Sequence, residues 1–108
     1  MLLTGKKPDG SLINLRLKTM AMSSPIGIGR GKEANVTIED PRCSRVHCKI
    51  RYWDGIFILK DCKSRNGTFV NGKKISVCKL GPGDVLKIGD TELQGKSEET
   101  PADVTITG

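Results

Sequence analysis

The sequence has few of the residues that commonly form catalytic and metal sites. Its 108 residues include one histidine, one tryptophan, one tyrosine and two phenylalanines. Four cysteines are present, but none form a CxxC pair, so their spacing does not favour a zinc site. Ser44 and His47 lie three residues apart at the start of a predicted strand, with no third group to orient the ring for catalysis. We therefore expect no catalytic residue, no metal and no cofactor.

Long apolar runs are also absent. No stretch approaches the roughly 18 apolar residues of a membrane-spanning helix, and the first 17 residues lack the apolar core of a signal peptide. We expect a cytoplasmic protein with no membrane partner, in which the cysteines stay reduced.

Helical periodicity is missing from the whole chain. Apolar and polar residues instead alternate in residues 13–18 and again in residues 46–53, where the alternation puts His47 on the polar face. Asp54-Gly55 and Asn71-Gly72 are hairpin signals between apolar runs. Many short strands with turns between them predict an all-β fold, a β-sandwich of antiparallel strands.

The domain boundary is predicted from a change in composition. Residues 1–94 contain the strand patterns, no internal repeat and no linker. Residues 95–108 are polar and initially acidic, with little to bury, and are expected to be a disordered tail.

The net charge indicates which classes of partner to expect. Eighteen basic residues against 12 acidic ones give a formal net charge of +6, which favours nucleic acid, an anionic membrane or a phosphorylated protein. A nucleic-acid-binding domain would need aromatic residues on a basic strand face, and Tyr52 is predicted to face the core. The basic residues along the strands look dispersed, which is typical of solvated faces.

Three loop segments combine glycine or serine with arginine: "IGIGRG" (26–31), "RCSRVH" (42–47) and "SRNGTFVNG" (64–72). In this order, followed by "GPGDVLKIGDTEL", they resemble the forkhead-associated (FHA) domain, and the resemblance runs from about residue 26 to residue 93. It implies a sandwich of eleven strands in two mainly antiparallel sheets that binds phosphothreonine peptides through loops at one end.

The resemblance also assigns roles to individual residues. Arg30 and Ser44 match the residues that bind phosphate, and Asn66 matches the one that holds the peptide main chain. Arg45 stands where a polar residue often contacts the ligand, while Arg65 replaces a threonine found in some members. The chemistry is suitable, because a guanidinium offers a planar fork of donors to a group carrying about −1.5 to −2 charges.

Further residues have structural or selective roles in this interpretation. Gly29 and Gly67 are expected to allow tight turns, and His47 to connect neighbouring loops by hydrogen bonds. Arg42 is expected to favour an acidic residue three places after the phosphothreonine. Asn71-Gly72 should close a hairpin, whereas Asn66-Gly67 should form a turn that faces the Asn66 side chain toward the ligand.

The expected function is a non-enzymatic adaptor in Ser/Thr kinase signalling whose partner is a phosphothreonine-containing protein, with no nucleic acid. A second possible ligand is the chain's own tail, because Asp103 follows Thr100 by three residues. Phosphorylation of Thr100 would then create a ligand within the molecule or on a neighbouring one.

Overall fold

The computed structural model describes residues 1–17 and 25–97, which contain eleven β-strands and no helix. The strands are β1 (Leu2–Lys6), β2 (Leu12–Arg16), β3 (Ile26–Gly29), β4 (Val36–Thr37), β5 (Cys48–Trp53), β6 (Ile56–Asp61), β7 (Thr68–Val70), β8 (Lys73–Ile75), β9 (Val77–Leu80), β10 (Val85–Ile88) and β11 (Thr91–Lys96).

The strands form two sheets. One has six strands in the order β2-β1-β11-β10-β7-β8, and the other has five in the order β4-β3-β5-β6-β9. Every pairing is antiparallel except β3 with β4, which is parallel. The predicted all-β sandwich of two mainly antiparallel sheets is confirmed.

The core lies where the inward faces of the two sheets meet. Period-two alternation sends every second side chain inward, and aliphatic residues dominate those positions. Fully buried members are Leu3, Ile28, Ile38, Ile50, Leu59, Leu86, Ile88 and Leu93. Each such side chain contributes roughly 1.5–3 kcal/mol relative to an exposed one, so their burial is a main source of the stability of the sandwich.

Two hairpins have the predicted turns. Asp54 (φ 49°) and Gly55 (φ 83°) connect β5 to β6, and Asn71 (φ 53°) and Gly72 (φ 83°) connect β7 to β8. Positive φ at both central residues is the requirement of a type I′ turn, which matches the right-handed twist of the strands. In the other Asn-Gly pair only Gly67 has positive φ, at 87°, so that turn is of a different kind.

One prediction of local structure was wrong. Strand β5 begins at Cys48, and His47 is completely buried rather than on the polar face. The reason is that a turn at Arg45 and Val46 precedes the strand and breaks the alternation.

The domain boundary at residue 94 stays a prediction. Strand β11 continues to Lys96, and in it Gly95 pairs with Leu3 and Lys96 with Leu2. The rest of the predicted tail, residues 98–108, lies outside the described residues, as do residues 18–24.

Loops from both sheets meet at one end of the sandwich. These are the β3–β4 loop (residues 30–35), the β4–β5 loop (38–47), the β6–β7 loop (62–67) and the β10–β11 turn (89–90). The three arginine-containing segments therefore lie at the same end. Trp53 is at the other end of β5 and is 61% exposed, as expected for a surface residue far from these loops.

Candidate functional site

The β4–β5 loop is held against the end of strand β3 by main-chain hydrogen bonds. Arg30 N donates to Ser44 O (2.9 Å) and Gly31 N donates to Arg45 O (2.9 Å). This close approach requires glycine at position 29, since a Cβ there would lie 2.3 Å from Arg45 O. Gly29 is therefore required for the close packing of the β4–β5 loop rather than for the expected tight turn, since it lies in strand β3 and its φ is not positive.

Because the β4–β5 loop packs against the end of strand β3, six of the candidate binding residues surround one pocket. It has a volume of about 280 Å³ and is lined by Arg30, Pro41, Arg42, Cys43, Ser44, Arg45, Arg65 and Asn66. Arg30 Nε donates to Cys43 O (3.1 Å), which fixes the guanidinium by one edge. Its two terminal amino groups make no other hydrogen bond within the described residues and are available to an oxyanion.

Two of the four arginines are paired with carboxylates. Arg45 Nε lies 3.4 Å from Glu33 Oε2, and Arg42 Nε lies 3.4 Å from Asp90 Oδ2. All four of these side chains are more than half exposed, so the pairs are weak and exchangeable. Arg30 and Arg65 have no ion pair in the part of the chain that the structure describes.

Ser44 and Asn66 connect the two main loops of the site. Arg65 N donates to Ser44 Oγ (3.0 Å), which leaves the Ser44 hydroxyl hydrogen for another acceptor. Asn66 Nδ2 donates to Arg42 O (2.7 Å), so one amide hydrogen is used within the protein. The second amide hydrogen and Oδ1 remain to meet an extended main chain.

His47 connects the β4–β5 loop to the β6–β7 loop from the interior of the protein. It is completely buried; Nδ1 accepts a hydrogen bond from Ser44 N (3.0 Å), and Nε2 lies 2.7 Å from Gly67 O. Only the neutral ring protonated at Nε2 makes both bonds, since a carbonyl oxygen cannot donate. This geometry suits a positioning role, and it leaves no ring nitrogen for acid–base chemistry.

Asp61 was not predicted from the sequence, and its side chain organises the β6–β7 loop. Its carboxylate accepts hydrogen bonds from Ser64 N (3.2 Å), from the Ser64 hydroxyl and from Thr68 Oγ1 (2.7 Å). Burial alone would raise the pKa of Asp61, but the hydrogen bonds from Ser64 and Thr68 hold it below its usual value of 3.8. Asp side chains commonly bond to the backbone of the turn that follows them, and the position of Asp61 at the end of an apolar run was the one local signal for this role.

Asp40 was not predicted either, and it holds the β4–β5 loop in place as Asp61 holds the β6–β7 loop. It is completely buried and accepts hydrogen bonds from Arg42 N (2.9 Å), Asp90 N (2.8 Å) and Thr91 Oγ1 (2.8 Å). The three bonds outweigh burial and lower the pKa of Asp40 below 3.8. The network attaches the β4–β5 loop to the β10–β11 turn, and it spans about fifty residues of sequence, which local patterns do not encode.

The four thiols are free. Burial raises the pKa of Cys43 to about 12 and also raises the pKa values of Cys48 and Cys78. These three are therefore poor nucleophiles at neutral pH. Within residues 1–17 and 25–97, no three His, Cys, Asp or Glu side chains come together as a metal site, and no helix has the length and apolar character to span a membrane.

Comparisons with known proteins agree with the fold and its loops. The family model of the FHA domain matches residues 26–89. The FHA domain-containing protein FhaA of Mycobacterium tuberculosis is 42% identical over 67 residues, which are 61% of this chain and 12% of FhaA. The chain thus spans only about an eighth of the length of that relative.

Solved structures are similar over nearly the whole chain. An FHA domain from a structural and functional analysis of phosphothreonine-dependent FHA interactions is 32% identical, with a TM-score of 0.70, and covers 93% of this chain and 100% of its own. The FhaA FHA domain complexed with the intracellular domain of Rv3910 is 34% identical, with a TM-score of 0.69, covering 86% of this chain and 96% of its own. This chain belongs to the FHA domain family.

Proposed function

We propose that this domain binds phosphothreonine peptides in the pocket between the β4–β5 and β6–β7 loops. The observation that carries the proposal is the convergence of Arg30, Arg42, Arg45 and Arg65 with Ser44 around a single pocket of about 280 Å³. A phosphothreonine carries about −1.5 to −2 charges and three strong acceptor oxygens. A similar solved FHA domain comes from a study of phosphothreonine-dependent interactions.

Each side chain has a distinct part in this mechanism. Arg30, held at Nε by Cys43 O, presents its terminal N–H groups to two phosphate oxygens. The Ser44 hydroxyl, already accepting from Arg65 N, donates to the third. Arg65 has no carboxylate partner within the described residues and supplies a second cation. Charge-assisted bonds of this kind contribute roughly 1.5–3 kcal/mol each.

The peptide main chain is positioned by Asn66. Its amide keeps one N–H and Oδ1 after donating to Arg42 O, so it can pair with both a carbonyl and an N–H of an extended peptide. Arg42 and Arg45 adjust the flanks. A ligand carboxylate three places after the phosphothreonine would displace Asp90 from Arg42, exchanging one ion pair for another.

The module acts without catalysis, as an adaptor that recognises the products of a Ser/Thr kinase in the cytoplasm. His47, the only histidine, has both ring nitrogens in structural contacts. The folded unit extends to at least Lys96, the end of β11.

The chain's own Thr100, once phosphorylated, is a second candidate ligand for this pocket, because Asp103 follows it by three residues. It would bind within the molecule or on a neighbouring one.

The test is fluorescence anisotropy with three degenerate peptide libraries that carry phosphothreonine, phosphoserine or unmodified threonine. We expect binding to phosphothreonine, with at least about a hundredfold loss when the phosphate is absent, since two or more charge-assisted bonds disappear. Weakening with salt should accompany it.

The matched variants are Arg30→Ala and Arg16→Ala. Both remove one exposed arginine, but Arg16 lies on strand β2 and does not line the pocket. Arg30→Ala should reduce affinity by about thirtyfold or more and Arg16→Ala by less than twofold. Equal affinity for phosphorylated and unmodified peptides, or equal effects of the two variants, would contradict the proposal.

A further inference from the structure

The outer face of the five-stranded sheet gathers basic residues that look dispersed in the sequence. Strands β5, β6 and β9 direct toward solvent Lys49, Arg51, Trp53, Ile56, Ile58, Lys60, Val77 and Lys79. Four of these eight are cationic and none is acidic. We call this surface the β5–β6–β9 face; it is separate from the residues that line the arginine pocket.

The strand register concentrates this charge. Lys49 is paired directly with Lys60, and Ile58 lies between Arg51 on one side and Lys79 on the other. Like charges directly opposite on neighbouring strands destabilise a sheet. No ion pair is found for these four cations within residues 1–17 and 25–97, so nothing there offsets the repulsion.

The outer face of the six-stranded sheet also carries cations, among them Lys6, Lys87 and Lys96. Among the described strands of that sheet, no two cations are paired directly in the register, and Lys87 is paired with Glu92, which is the stabilising arrangement. The unfavourable Lys49–Lys60 pair has an explanation if the outer face of the five-stranded sheet binds a negatively charged ligand.

We propose that the β5–β6–β9 face is a second binding surface, for an extended acidic segment of a protein partner. Lys49 and Lys60 lie about 5 Å apart across the sheet, whereas Arg51 and Lys79, with Ile58 between them, lie about 10 Å apart. Carboxylates on alternate residues of an extended chain are about 7 Å apart, so such a chain can reach several of these cations. Half-buried Ile58 and exposed Val77 provide apolar contacts between the charges. The β5–β6–β9 face and the phosphate pocket would act together, but binding of the acidic segment to this face would not depend on phosphorylation.

Other anionic ligands fit this face less well. Single-stranded nucleic acid needs several exposed rings for base stacking, but Trp53 is the only aromatic residue here, and the guanidinium of Arg51 lies 5.6 Å from its ring centroid. A membrane surface needs a contiguous apolar patch that projects among the cations. Trp53 is paired directly with Ile56, but Ile58 in the next row lies between Arg51 and Lys79, so the apolar residues form no patch free of charge.

The test measures anisotropy of a fluorescein-labelled peptide, three repeats of Glu-Asp-Glu-Leu, with the Gln-Asn-Gln-Leu analogue as a neutral control. The K49E/K60E variant should lose about tenfold or more in affinity, because two attractive charges become repulsive. K6E/K96E makes the same charge change on the outer face of the six-stranded sheet and should lose less than twofold in 150 mM salt. Arg30→Ala should also leave this affinity unchanged, which separates this surface from the phosphate pocket.

Thermal unfolding distinguishes lost binding from lost folding. The single variant K60E replaces a Lys–Lys pair by a Lys–Glu pair, so its Tm should rise by about 1–4 °C while its affinity for the acidic peptide falls. A 12-nucleotide oligouridine and vesicles of phosphatidylcholine with 20% phosphatidylserine serve as competing probes. The proposal is overturned if either binds more tightly than the acidic peptide, if no probe binds, or if K6E/K96E and K49E/K60E weaken binding equally.

Discussion

Replacing His47 with leucine removes the two hydrogen bonds that connect the loops of the site while keeping a buried side chain of similar volume. The carbonyl of Gly67, 2.7 Å from Nε2, would lose its partner in a buried position, and Ser44 N, 3.0 Å from Nδ1, would lose its partner in a partly buried one. An unsatisfied buried group costs about 1–3 kcal/mol. The cost at Ser44 N is smaller because it is only partly buried. Together the two losses should lower the free energy of unfolding by roughly 2–4 kcal/mol.

Urea unfolding followed by tryptophan fluorescence measures this loss, and anisotropy with a phosphothreonine peptide measures the consequence for binding. Affinity should fall as well, because Ser44 and Asn66 would no longer be held in one geometry. His47→Gln is the graded control: its amide can donate to Gly67 O but cannot also accept from Ser44 N, so both effects should be intermediate. An unchanged free energy of unfolding in His47→Leu would refute the positioning role.

Three further predictions concern neighbouring residues. Glu33→Gln releases Arg45 from its 3.4 Å ion pair, so phosphopeptide affinity should rise about two- to fivefold at low salt, as titration calorimetry would show; a fall in affinity would contradict this. Gly29→Ala would place a Cβ 2.3 Å from Arg45 O, so the loop must move, the free energy of unfolding should drop by about 1–3 kcal/mol and binding should weaken; a variant with native stability and affinity would disprove that close approach. Asp40 and Asp61 have pKa values lowered from 3.8, so the stability they contribute is present above that pH and is lost as pH falls through their folded pKa values. Tm should therefore decline below about pH 4, and less steeply in Asp61→Asn; parallel declines would contradict the assignment.

Local sequence patterns predicted the strands and hairpins because both depend on neighbouring residues. Alternation in residues 13–17 and the Asn71-Gly72 turn have a physical basis within a few residues. The same alternation failed at His47, where the turn at Arg45 and Val46 puts the ring in the interior. The failure coincides with a residue that holds two loops together, where local preference and tertiary contacts conflict.

The candidate site was predicted through arginines and glycines in three loops and His47 between them, but the two carboxylates that hold those loops were not predicted. Asp40 contacts the backbone of Asp90, and Asp61 organises the loop that carries Arg65. The ion pair between Arg42 and Asp90 likewise joins distant segments. Such contacts are set by the packing of the sheets, which no local window of sequence contains.

The measurement that most directly tests the central claim is an NMR titration of the ¹⁵N-labelled protein with a phosphothreonine peptide from the selected library. The account predicts that the largest amide shifts occur at Gly31, Ser44, Arg65 and Asn66, with little change around Trp53. It also predicts that the unphosphorylated peptide produces none of them. Shifts confined to another surface, or equal shifts with both peptides, would contradict the assignment of this pocket as the phosphate-binding site.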